Sequence, residues 1–241
     1  KKISWSANTK MDLPRNKQGT FEKTHIVRSM YRPFCKQWLY FDRQFNERVY
    51  QMPKIFPNEK LANVMICVSG LGGTKESSVL MVDSVPDLNM QHSGGQCFPL
   101  YTYEPTEAKG LFAAPTGDYA RKDNIPDAIL TEFRKTYGPK LTKEDIFYYV
   151  YGLLHSPTYK TRFAADLKKM LPRIPLVKDF WAFSQAGREL AQWHLNYETI
   201  EPYPLSETVT AARNLDPQTL YRVQKMSFAK TNKTLDKTTL I

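Results

Sequence analysis

Hydrophobic positions along this chain change their period near residue 120. Ahead of that point, apolar residues come in short runs closed by glycine, proline or polar turns, a pattern that predicts buried strands. Residues 63–68, Asn-Val-Met-Ile-Cys-Val, predict one buried strand stopped at Gly70, and residues 77–82 predict a second. Residues 25–30 predict a short strand, residues 36–42 an aromatic strand carrying Trp38, Leu39, Tyr40 and Phe41, and residues 97–103 another. Pro33 has no N–H to give to a ladder, so it suits the first residue of a strand or an edge. Phe45, Val49 and Met52 share one face, which predicts a helical turn or a helix ended by Pro53. Residues 1–23 read as a short ordered piece followed by a polar loop.

A loop over residues 104–123, with Gly110, Pro115 and Gly117, leads into a helical half. Residues 125–137 place Ile125, Ala128, Ile129, Phe133 and Tyr137 on one side, and Gly138-Pro139 ends that helix. Thr142-Lys143-Glu144-Asp145 forms a capping box with aspartate in the third helical position. The helix it opens, over residues 143–155, is apolar nearly all round and should be central. Ser156-Pro157 starts another helix, striped by Tyr159, Phe163, Leu167 and Met170 or Leu171, and ended by Pro172 and Pro175. A fourth helix over residues 184–197 should bury Ala186, Leu190, Trp193 and Tyr197. The fold class is therefore α+β: a β-rich N-terminal half on a mixed or antiparallel sheet, then a block of about four helices. We divide the chain into a β-rich subdomain over 1–120, a helical scaffold subdomain over 121–200 and a polar segment over 201–241. In that last segment residues 220–228 are candidates for a return strand. The chain begins Lys1-Lys2 and its last residues carry no natural stop, so it is expected to be a piece of a longer polypeptide.

Charge changes this picture. The 241 residues carry a net charge of +10, unevenly spread. Residues 1–60 hold 13 Lys and Arg against 5 Asp and Glu, whereas residues 61–120 hold 2 against 6. A basic excess gathered in one quarter of the chain points to a polyanionic partner. A membrane surface fits less well, because no segment pairs a basic face with a long apolar one. Cys35, Cys67 and Cys97 are odd in number, widely spaced and form no CxxC, which argues for reduced thiols in a cytosolic protein.

Catalytic signatures fail when checked. Gly70-Leu71-Gly72-Gly73-Thr74-Lys75 has Thr74 where a phosphate loop needs Gly next to Lys, so a tight turn after a strand explains it better. His92-Ser93-Gly94-Gly95 has no orienting carboxylate nearby, and His25, His92, His155 and His194 form no zinc spacing with the cysteines. Glu144-Asp145 is explained by helix capping. No methyltransferase or helicase motif is present. The chain itself reads as a binding module with no catalytic and no metal-ligating residues.

The densest stretch is Tyr31-Arg32-Pro33-Phe34-Cys35-Lys36-Gln37-Trp38-Leu39-Tyr40-Phe41-Asp42, with Arg28, Arg43 and Arg48 close by. Taken alone it is better explained as a core strand with a solvated basic rim than as a nucleic-acid surface. Together with Ile3-Ser4-Trp5-Ser6, Ser93-Gly94-Gly95-Gln96-Cys97-Phe98-Pro99-Leu100-Tyr101, residues 144–155, residues 159–169, Pro172-Arg173-Ile174-Pro175 and Ala186-Gly187-Arg188-Glu189-Leu190-Ala191, it resembles the C-terminal specificity region of type ISP restriction-modification enzymes. That resemblance spans nearly the whole chain. It implies a parent polypeptide with a nuclease, a helicase-like ATP-driven translocase and an N6-adenine methyltransferase, in the cytoplasm of a prokaryote. S-adenosylmethionine, ATP and Mg2+ would serve those upstream parts, and no cofactor falls to this chain. The implied partners are double-stranded DNA and the upstream methyltransferase and helicase-like domains, with no membrane.

A duplex reader needs cations on phosphates and forked side chains on base edges. The basic quarter offers Arg28, Arg32, Lys36, Arg43, Arg48 and Lys54 for phosphates, each equally explained as a solvated rim. The polar loops offer Asn46, Lys75, Asn89, Gln91 and Gln96 for base edges, each better explained singly by turn chemistry. The helical block reads as scaffold. Two alternatives remain: an interaction or scaffold domain that docks neighbouring catalytic modules with little DNA contact, and an enzyme built around His92, Asp83 or Asp87.

Overall fold

A computed structural model describes residues 6–72, 76–92, 94–106, 119–206, 208, 216–220, 222, 227–232 and 234–240. At its centre lies strand β3 (Met65–Val68), flanked on both sides by antiparallel partners, β4 (Val79–Val82) and β6 (Gln96–Pro99). All eight residues of β3 and β4 are buried. Their continuous apolar runs follow from both faces being covered. The pleat sends Ile66, Val68, Val79 and Met81 into a core shared with the helices. Met65, Cys67, Leu80 and Val82 go the other way, into a second cluster with Met30, Ile55 and Met90.

The second layer is a mixed sheet. Strands β1 (Ile26–Arg32) and β2 (Cys35–Tyr40) form an antiparallel hairpin, and β1 pairs in parallel with the short β5 (Val85–Pro86). Pro33 lies in the hairpin turn, not in a strand, and Phe34 takes φ +57° there. Of the helical turn or helix expected over 45–52, residues 45–51 form turns only. Pro53 instead sits in the first turn of α2 (Met52–Ile55), where its fixed φ and missing N–H cost nothing. The aromatic run expected as one strand over 97–103 is two: β6 ends at Pro99, and β7 (Tyr101–Pro105) pairs with β8 (Tyr119–Asp123) in a separate ladder. Leu100 marks the break, with its N–H donated to Val64 O and its carbonyl accepting from Asn124 N. Buried Asn63 holds this junction, donating to Ile55 O (3.0 Å) and Tyr101 O (2.8 Å) while its Oδ1 accepts from Val64 N and Tyr101 N.

Four helices cover the other face: α3 (Asp127–Tyr137), α4 (Lys143–His155), α5 (Pro157–Arg162) and α6 (Phe180–Leu195). The reciprocal Thr142–Asp145 capping box starts α4, whose interior side chains are buried on most sides. Ser156 caps α5, which is shorter than its stripe predicts. On α3, Phe133 is buried while Ala128 and Ile129 are exposed. On α6 the expected stripe holds in part: Leu190, and Tyr197 just beyond the helix, are half-buried against the cores, but Ala186 is exposed and Trp193 is 68% exposed, while Phe180, Ser184, Gly187 and Ala191 are buried. The departure has a packing cause. Gly152 and Gly187 meet where α4 crosses α6, so the small residues face inward.

The chain divides into two compact units, Lys1–Ile200 and Glu201–Ile241. Within the first, one core runs from β3 and β4 across residue 120 into the helices. A short N-terminal helix, Ala7–Asp12, is capped by Ser6. The second unit holds a turn of helix, Pro217–Leu220, and an antiparallel hairpin of Phe228–Thr231 with Thr234–Leu240. Most of the expected return strand at 220–228 lies outside the described residues. Among the described residues no helix is long and apolar enough to cross a membrane.

Candidate nucleic-acid interface

The β1–β2 hairpin has two faces, fixed by its register. Arg28 opposes Trp38 and Met30 opposes Lys36 on one face, while Ser29 opposes Gln37 and Val27 opposes Leu39 on the other. On the first face the Arg28 guanidinium lies 5.1 Å from the centre of the Trp38 ring and 3.3 Å from the Glu198 carboxylate. Lys36 Nζ is 3.2 Å from Asp83. Arg32 donates to Asp87 Oδ1 (2.8 Å) and to Tyr31 O, and lies over the Tyr31 ring. Three of the six expected phosphate cations thus already face carboxylates. Arg43 and Arg48 are exposed and make no ion pair among the described residues. Lys54 is exposed on α2, and its charge helps hold the Glu104 carboxyl low, after the larger effect of Lys122. A wide trough of about 2470 Å3 borders Arg28 and Arg43, but Asp42, Glu59, Asp83 and Glu144 line it too, so its walls carry both signs.

Behind the hairpin's second face lies a groove of about 630 Å3. Gln37, Asn46, Arg48, Gln51, Gln91 and Gln96 line it, over a floor that includes Ile55, Met90, Cys67 and Cys97. The structure therefore gathers three expected base-reading candidates with one expected phosphate cation. Asn89 stands just outside, exposed in a turn closed by its N–H donating to Asp87 Oδ1. Lys75 lies outside the described residues. Asn46 spends both amide hydrogens on Tyr40 O and Asp42 O, leaving only its oxygen to a ligand. By contrast, Gln91 Oε1 is buried with no donor among the described residues. Gln37 and Gln51 are additions. Gln37 was legible as the polar residue alternating with Lys36 and Trp38 on an aromatic strand; Gln51 carries no such signal.

Two features look chemical and are structural. Cys67 and Cys97 are direct cross-strand partners with sulfurs 2.9 Å apart and no disulfide. The thiol contact and burial push Cys67 up, and the same contact draws Cys97 down. The Tyr151 hydroxyl accepts from Met81 N (2.9 Å) and bonds His194 Nδ1, satisfying a strand edge inside the core. Asp145 is committed to the helix cap and to Arg188 (2.8 Å). Asp83 and Asp87, the carboxylates of the enzyme alternative, are engaged by Lys36 and Arg32. Among the described residues no group of three or more His, Cys, Asp or Glu is placed to hold a metal.

An antiparallel sheet held between a helical layer and a mixed sheet, with an amide-lined groove behind the β1–β2 hairpin, suits a recognition module. The chain belongs to the family of type ISP C-terminal specificity domains, whose model matches residues 1–241. Three solved structures are similar to it at 34% identity each. The DrdV–DNA complex superposes with a TM-score of 0.80 over 95% of this chain. The ATP-dependent type ISP restriction-modification enzyme LlaBIII bound to DNA gives 0.76 over 99%. A nuclease-deletion mutant of the type ISP enzyme LlaGI with a DNA substrate mimic gives 0.71 over 96%. This chain spans 22%, 15% and 16% of those chains, respectively. No curated protein matches it.

Proposed function

We propose that this chain reads a sequence in duplex DNA on behalf of a longer type ISP polypeptide. It would present the site to an upstream N6-adenine methyltransferase and to a helicase-like translocase and nuclease. The observation that carries this reading is the groove behind the β1–β2 hairpin, where Gln37, Gln91 and Gln96 meet Arg48. Amide side chains offer the donor–acceptor fork that matches an adenine edge, and arginine matches guanine or a phosphate. The family and the DNA-bound relatives support it. S-adenosylmethionine, ATP and Mg2+ would act in the upstream parts, and no residue here is assigned to them. The setting would be the cytoplasm of a prokaryote.

Anisotropy titration of the complete polypeptide against labelled duplexes tests this reading. Binding should fall steeply with salt, and one sequence should bind far more tightly than the rest. Absence of binding at low salt by folded protein would sink it. Methylome sequencing of a host expressing the polypeptide should then return the same sequence as the modified motif.

One observation favours a second reading. Arg28, Arg32 and Lys36 face acids within this chain, as in a domain that docks neighbours and touches DNA little. On that reading, charge reversal at Arg28, Arg32 and Arg48 leaves DNA binding by the full-length polypeptide intact.

A further inference from the structure

A run of positive charge that meets no carboxylate among the described residues lies in the helical half. Between residues 160 and 178 stand Lys160, Arg162, Lys168, Lys169, Arg173 and Lys178, with Asp166 as the one acid. All but Lys160 are exposed, and none of the six makes an ion pair among the described residues. The hairpin cations behave differently, since three of them face carboxylates.

This run is held in place by its main chain. Tyr159 donates its hydroxyl to Arg173 O (2.7 Å), Tyr149 to Pro175 O (2.5 Å) and Tyr137 to Val177 O (2.7 Å). Three alternate carbonyls are thus gripped by three tyrosines from three helices or their ends. Ile174 and Val177 pack on the core from the same segment. The run is also continuous with the groove's loops. Gly72 donates its N–H to Lys168 O (2.9 Å), tying the run to the turn after β3. Gly70, in that turn, donates to His92 O in the loop that carries Asn89 and Gln91.

We infer that residues 160–178 form a second surface for duplex DNA, contacting phosphates beside the bases read in the groove. The inference rests on the reading of this chain as a duplex reader and extends it to the helical side. Unpaired cations on a main chain tied down at Lys168, Arg173, Pro175 and Val177, and linked through hydrogen-bonded loops to a base-reading groove, suit a stiff polyanion that crosses both. A membrane surface fits less well: Met170 and Leu176 are exposed in this run, but α5 has only six residues and offers no long amphipathic face.

The test compares the complete polypeptide with its Lys168→Gln/Lys169→Gln/Arg173→Gln variant, and with the corresponding triple Glu variant. Titrations use specific and unrelated duplexes over a range of salt, with thermal melting as a check on folding. The Gln variant should bind about tenfold more weakly, to the same degree on both duplexes, with a salt slope smaller by about 2–3. The Glu variant should bind more weakly still. Unchanged affinity and slope in a folded Gln variant, with the wild-type protein binding normally, overturns this inference alone. Loss confined to the specific duplex also overturns it, because phosphate contacts carry no sequence information. If the wild-type protein binds no duplex, the recognition reading falls and takes this inference with it.

Discussion

Gly152 of α4 and Gly187 of α6 lie so close at the helix crossing that a Cβ on residue 187 would stand 2.9 Å from the Gly152 amide nitrogen. The same Cβ would collide with the Tyr148 carbonyl oxygen, and one on residue 152 would collide with that of Phe183. These neighbours are backbone inside helices and cannot swing away. Gly187→Ala should therefore destabilise by about 3 kcal/mol or more despite alanine's better helix propensity. Urea unfolding checks this. A midpoint equal to wild type would show that the crossing can open at little cost.

Tyr151→Phe removes the hydroxyl that accepts the Met81 N–H on the buried strand β4. The ring volume is kept, so the loss is that of a buried Met81 donor left unpaired together with the bond to His194 Nδ1, about 1–3 kcal/mol. Ser184→Ala, where the hydroxyl is itself the donor to the Asp145 carbonyl, should cost less. The two variants compared by thermal melting should rank in that order.

Gln37→Ala and Gln96→Ala should relax sequence preference without changing the salt slope of DNA binding, since neither removes a charge. Arg48→Ala should lower affinity and reduce the slope by about 1 if it contacts phosphate. Arg32→Ala should do less, because Asp87 already holds that guanidinium. Titrations of the complete polypeptide at several salt concentrations separate these outcomes.

His155 gives stability an acid limb. Burial, then the charges of Lys160 and His194, push its pKa down to about 4. In the unfolded chain the imidazole titrates near 6.5. Between about pH 4 and pH 6.5 the unfolded chain holds a proton that the folded chain does not, so stability rises with pH across that window. Its contribution is complete above about pH 6.5 and is lost as the pH falls toward 4, amounting to no more than about 3 kcal/mol. His155→Phe should flatten this part of the pH profile of the urea midpoint.

Local signals were legible wherever the deciding partners are neighbours in sequence. The Thr142–Asp145 box and the Ser156-Pro157 start depend on residues three positions apart or fewer, and both stand as expected. The buried runs of β3 and β4 were plain because both faces are apolar. What sequence could not supply is distant pairing. Arg32 meets Asp87 and Arg28 meets Glu198, 55 and 170 residues away, so half of a phosphate set read from charge density turned out to be engaged internally. The α6 face is legible only in part: Leu190 packs on the core as its stripe predicts, but hydrophobicity also marks Trp193, whereas packing selects Gly187. The groove was half legible: its amides could be named one by one, but the fold alone brings Gln37 beside Gln96.

The three tyrosine hydroxyls bonded to the carbonyls of Arg173, Pro175 and Val177 have a further consequence. Every residue type has a carbonyl, so this grip is blind to side-chain identity. The path of the segment is encoded in the helices beneath it, and its outward residues are left free of any duty to the fold. Arg173 and Lys178 can be replaced wholesale while the rail stays where it is. What this segment presents can therefore change without moving where it is presented.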